Sequence, residues 1–196
     1  LLVREAPRGL VDDDGYTRFA GTGRLAWRPF EGLELETGFF SGRNRTAYDA
    51  AFAGFGYLPD TPSSQTNWMT TAFGRVTHDA FGGVLRNRLT LSGSRTEREL
   101  RDVQRYDFGF GLTDERNTYA YRGERIGLEY QGDLKLGRLG LTTFGASLEQ
   151  EVFTSKIRPG ANSFAAPERF TAERLTQSAF ALHQITLFER LDLSAG

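Results

Sequence analysis

The chain has 196 residues, a formal charge of −1 and no cysteine. That is enough for one ordinary domain, gives no electrostatic reason to seek nucleic acid, leaves no disulfide framework or thiolate metal site, and is at most permissive of export. Its apolar runs are a few residues long, far short of the roughly 18 that a membrane-spanning helix needs, so a helical membrane protein is excluded. Aromatics at 13%, 23 glycines, six prolines and one methionine favour β structure.

The chain opens LLVREAPRGL, with Arg4 and Glu5 where a signal peptide would carry its apolar core; it is expected to be mature or internal sequence. Next comes VDDDGY, with three successive aspartates, Asp12, Asp13 and Asp14, before Gly15. From Thr17 to Phe30, Phe19, Gly21, Gly23, Leu25 and Trp27 alternate with Arg18, Ala20, Thr22, Arg24, Ala26 and Arg28. This is the period of a strand with one apolar or small face and one wet face. Pro29 to Gly32 is a short turn signal, and Leu33, Leu35, Thr37 and Phe39 then alternate with Glu34, Glu36 and Gly38, completing a hairpin.

The unit recurs. Thr70 to Ala80 and Val84 to Glu97 flank Phe81-Gly82-Gly83, and about Tyr119 to Leu136 and Leu139 to Thr154 flank Gly137-Arg138. A fourth hairpin begins near Leu175, turns at Glu189-Arg190 and is still returning at Gly196. Longer polar connections, 47–67, 98–118 and 156–174, join these hairpins. Short turns at one end, long loops at the other, and strands longer than the roughly 9–11 residues that cross a bilayer predict an all-β fold. It is an antiparallel transmembrane β-barrel segment of about four hairpins and seven to eight strands, with short periplasmic turns and long extracellular loops. The apolar face would meet outer-membrane lipid and the Arg/Glu/Ser face a wet lumen. A soluble sheet has the same alternation, but soluble strands average only about five or six residues. The ending LDLSAG, inside a strand and without a terminal aromatic, predicts that 1–196 is a partial barrel domain whose edge strands need partners.

DDDGY (Asp12 to Tyr16), strand, turn, strand, NRTAYDA (Asn44 to Ala50) and LPDT (Leu58 to Thr61) resemble the early barrel hairpin of the vitamin B12 (cobalamin) receptors among TonB-dependent outer-membrane transporters. The similarity continues more weakly through QRYDFGF (Gln104 to Phe110) and YRGERIGLEYQ (Tyr121 to Gln131). The first 61 residues carry the specific motifs. The resemblance implies a barrel of about 22 strands with a plugged lumen, a plug domain that is absent from this sequence, and energy supplied through the TonB protein. It implies a transport receptor, not an enzyme, in the outer membrane, taking cobalamin or another large metal chelate. It also implies calcium-ordered extracellular loops, the ligands being Asp12, Asp14, the Tyr48 carbonyl, Asp49 and Asp60. A siderophore or haem receptor without calcium, or a small structural barrel, are the other readings.

The chemistry agrees with that set. In a hairpin turning near residue 31, opposed residues have numbers summing to about 62, so Asp14 is expected to face Tyr48, with Asp12 and Asp49 nearby. Gly54, Gly56 and Pro59 allow the loop to fold Asp60 back. Calcium takes about six to eight oxygens in irregular geometry. Asp13, alternating away, is the least suited ligand, and DDDG alone is also an ordinary Asx turn. Elsewhere, His78 and His183 stand on different hairpins, Glu149 and Glu151 share a strand face without a nucleophile, and Phe108 to Gly111 precedes no helix; none makes a catalytic or phosphate site. Arg95, Arg98, Arg101 and Arg105, interleaved with Glu97, Glu99 and Asp102, read as a charge-compensated strand extension. The aromatic loop Phe52 to Tyr57 is suited to covering a partly apolar ligand or to insertion at the membrane interface.

Overall fold

The computed structural model describes residues 15–49, 57–58, 61–161, 166–188 and 190–196. The strands are β1 (Tyr16–Phe30), β2 (Leu33–Tyr48), β3 (Tyr57–Leu58), β4 (Ser63–Ala80), β5 (Leu85–Tyr106), β6 (Thr113–Lys135), β7 (Leu141–Arg158), β8 (Glu168–Leu187) and β9 (Leu191–Ala195). They form one antiparallel sheet in the order β1-β2-β4-β5-β6-β7-β8-β9, which does not close on itself, with β3 pairing β5. Within each hairpin the strands pair because the turn is too short to let the chain do anything else, and successive hairpins pair across the longer connections.

The four expected turns are present. Glu31-Gly32 uses a left-handed glycine, Gly32 at φ 81°, and the Gly32 carbonyl accepts from the Asp79 amide at 2.8 Å. Gly137–Leu139 makes one 3-10 turn. At the second turn the left-handed conformation begins at a bulky residue, Phe81 at φ 53°, followed by Gly82 and Gly83. The fourth repeats this with Phe188 at φ 55°. Such a conformation costs a non-glycine residue about 1–2 kcal/mol.

The longer connections are a correction. Strand β5 runs to Tyr106 and β6 resumes at Thr113, so the expected loop 98–118 shrinks to 107–112. Likewise β8 begins at Glu168 rather than near Leu175, and the first connection ends at Ser63. The polarity of these segments is that of a loop, but their charges are matched in register: Arg95 lies opposite Glu124 and Arg105 opposite Asp114. A ladder of backbone hydrogen bonds is indifferent to whether its side chains are wet. The strand-extension reading of Arg95 to Arg105 describes this segment correctly.

Register arranges the faces, because directly opposed residues share one side of the sheet. One row runs Trp27–Leu35–Val76–Leu89–Tyr130–Ala146–Ala179. The next toward the connections runs Leu25–Thr37–Gly74–Leu91–Leu128–Leu148–Gln177, then Gly23–Phe39–Ala72–Gly93–Ile126–Gln150–Leu175. Two rows toward the turns, through Asn87 and Leu85, complete a band without Asp, Glu, Lys or Arg. From Leu85 to Gly93 it covers about 26 Å along the strand. Much of it lies open: Trp27, Phe39, Leu91 and Ile126 are all exposed.

The opposite face is polar and more screened. Glu36 and Thr77 are buried, and the charges pair across strands: Arg28–Glu34 at 2.7 Å, Arg125–Glu149 and Arg174–Glu151. Glu149 and Glu151 are therefore acids matched to arginines on this face. Glu36 is held between Arg24 at 2.7 Å and Arg75 at 3.5 Å, with side-chain exposures of 5%, 71% and 37%. Because both arginines remain wet while the carboxylate is buried, Glu36→Gln is expected to cost about 1–2 kcal/mol. The midpoint of chemical denaturation measures this; an unchanged midpoint would mean that the pair contributes nothing.

Candidate functional site

The first hairpin and its connection assemble a rim. From Tyr16–Thr46 to Trp27–Leu35 the partners sum to 62, as the turn position predicts, and the Gly15 carbonyl extends the ladder by accepting from the Ala47 amide at 3.0 Å. Asn44 to Tyr48 of NRT-x-YDA occupy the end of β2, where Asn44 accepts from the Asn67 side chain at 2.8 Å and Tyr48 pairs with Ser63. Asp49 follows immediately, and its Oδ1 accepts from the Thr61 amide at 3.2 Å. Thr61 and Ser63 are buried, linked through their hydroxyls at 3.1 Å, and Ser63 Oγ accepts from the Val103 amide at 3.0 Å. The return of the connection is thus tied to both β2 and β5.

Of the expected metal ligands, Tyr48 and Asp49 are adjacent at this rim. Asp12, Asp14 and Asp60 lie outside the described residues. Their chain neighbours can be placed, however: Gly15, which follows Asp14, contacts Ala47, and Thr61, which follows Asp60, contacts Asp49. Burial, and behind it the Asp102 carboxylate, pushes the Tyr48 phenol above its ordinary value. Among the described residues no cation pairs with Asp49, and no group of three or more His, Asp or Glu gathers in metal-binding range. Carboxylate and carbonyl oxygens are the donors that calcium takes.

No protein-family model and no curated protein matches the chain.

Two features escaped the sequence reading. On the polar face, Tyr121 and Phe153 stack with ring centroids 6.4 Å apart. With Thr96, Arg98, Leu100 and Gly123 they line a cleft of about 530 Å³. Nothing local marks these aromatics, because their significance comes from facing the same side on strands that only register brings together. The second is the tip 107–112. There Asp107 Oδ1 accepts from the amides of Gly109 at 2.7 Å and Gly111 at 3.2 Å, an Asx-type turn. It presents Phe110 almost fully to solvent. Just beneath it, hydrogen bonds from Arg105, and to a smaller extent from Arg116, hold the Asp114 carboxyl below its ordinary value. His78 and His183 stand on β4 and β8; His183 Nδ1 shares a hydrogen bond with Thr142 at 2.9 Å.

Proposed function

We propose that this sheet is part of the barrel of an outer-membrane transport receptor of the TonB-dependent, cobalamin type, with a calcium ion ordering its extracellular rim. The observation carrying the membrane half is the uncharged band, open on one face, bounded by charged rows toward the long connections and by exposed Phe30, Phe81 and Phe188 at the short turns. A bilayer-facing strand presents this order of apolar band and aromatic border. The receptor half is supported by DDDGY, NRT-x-YDA and LPDT, whose described neighbours Gly15, Ala47, Asp49 and Thr61 are joined at one rim. In this reading Asp12, Asp14, the Tyr48 carbonyl, Asp49 and Asp60 hold calcium. The cleft of Tyr121 and Phe153 offers apolar contact inside the mouth for a large ligand such as cobalamin.

The test is equilibrium binding of cobalamin, a ferric siderophore and haem to the full-length protein, with calcium and with a chelator. Cobalamin is expected to bind preferentially, and more weakly without calcium. Preference for an iron chelate regardless of calcium would replace the substrate assignment, and binding of none of the three would favour a structural barrel.

A further inference from the structure

Beyond the uncharged band the same face changes character within two rows. In the next row Arg95 opposes Glu124, and in the one after it Phe19, Arg43, Trp68, Glu97, Arg122 and Thr154 are in register. Several acids here already have cations: Glu97 and Glu124 pair with Arg95, Glu124 also with Arg122, and Glu99 with Arg101. Arg43, Arg45, Lys156, Arg158 and Arg169 have no ion pair among the described residues, and the acids at this end of the sheet left in the same state include Glu173, in the row nearest the band, and Asp49, just past the end of β2. Lys156 and Arg169 stand directly opposite one another across β7 and β8. Like charges in that position repel unless an anion lies between them. Both line a cleft of about 720 Å³, together with Arg43, Arg122 and Trp68, and the Trp68 indole donates to Ser41 Oγ at 3.3 Å.

We propose that this cleft binds the phosphate headgroup of an anionic membrane lipid, with Lys156 and Arg169 as its principal contacts. The inference rests on the reading of the apolar band as a bilayer face. The cleft begins about 7 Å along the strands from the last uncharged row, and Lys156 and Arg169 stand about 20 Å from it; with strands tilted about 35–45° that is about 14–16 Å along the membrane normal, a level from which long basic side chains can reach back toward headgroup phosphates. Arginine forks match phosphate oxygens in a bidentate manner, basic residues at an anionic surface each favour binding, and an indole with one wet edge suits that level. At the turn end of the same face the band itself runs out to the row of Ala80, Leu85, Leu134 and Thr142 without a charge, so among the strand rows the opposed cations stand at one end only.

The experiment uses the full-length protein in phosphatidylcholine bicelles titrated with phosphatidylglycerol, reading the part of the fluorescence that a Trp68→Phe variant loses. That signal is expected to change with phosphatidylglycerol and to stay constant with inorganic phosphate. In the double variant Lys156→Gln/Arg169→Gln the half-point should move up about thirtyfold, and Lys156→Arg should restore it. An unmoved half-point, or an equal response to inorganic phosphate, overturns the proposal. Quenching of Trp27 by brominated phosphatidylcholine separates the two levels of inference. Quenching without a phosphatidylglycerol response rejects the lipid site alone, whereas an unquenched Trp27 rejects the bilayer face and the lipid site with it.

Discussion

Replacing Asp49 by alanine in the full-length protein is expected to weaken calcium binding by at least about tenfold, since losing even an outer partner of a metal site costs roughly 10–100-fold. Asp49 is the carboxylate that joins the two arms of the rim: it follows the end of β2 directly and takes the Thr61 amide through Oδ1. Its removal withdraws both a hard anionic donor and the tether of the returning connection. Calcium titration by calorimetry measures the effect. Asp107→Ala is the matched control, because Asp107 also organises a connection through backbone amides but at a different tip, 107–112. Equal losses in the two variants would mean that calcium responds to general loosening of the connections. Unchanged affinity in the Asp49 variant would remove that residue from the site.

Leu89→Arg is expected to destabilise the protein in a bilayer by about 2–4 kcal/mol, against about 0–1 for Leu85→Arg on the same strand. Leu89 occupies the middle row of the uncharged band, opposite Val76 and Tyr130, whereas Leu85 lies in the row next to the turns. A charge at mid-depth has no water or headgroup within reach, and one at the border can extend to both. Thr176→Arg is the control for the other face: Thr176 lies opposite Glu149, and its replacement should change stability by no more than about 0.5 kcal/mol. Urea unfolding from lipid vesicles supplies all three values. Equal costs at Leu85 and Leu89 would contradict the bilayer assignment, since an apolar face packed on a protein core has no depth profile.

The hairpin plan was legible wherever the signal was local. Alternation between Thr17 and Phe39 located β1 and β2, and the turn at Glu31-Gly32 set their register, because a short turn leaves one residue of freedom or none. The same holds for Phe81 to Gly83 and for Gly137-Arg138. Strand ends were not legible. Arg98 to Tyr106 and Thr113 to Thr118 carry the polarity of a loop, and they become strand only because each finds a partner already aligned by the turn at the far end of its hairpin. The acidic half of the rim showed the same division. DDDGY and NRT-x-YDA could be brought together by counting from one turn, and the described neighbours Gly15 and Ala47 meet as that count requires.

The sequence by itself therefore determined the fold class, the two faces of each strand and the pairing within hairpins, all set by interactions across one turn. Tertiary structure decided what lies side by side between hairpins. The opposed cations Lys156 and Arg169 require β7 and β8, strands of two different hairpins, in one register. So does the uncharged band, which is continuous only when seven strands are aligned. A period of two places a side chain on a face, but depth along that face is a property of the whole sheet, fixed by hydrogen-bond ladders that close only when every strand is in place.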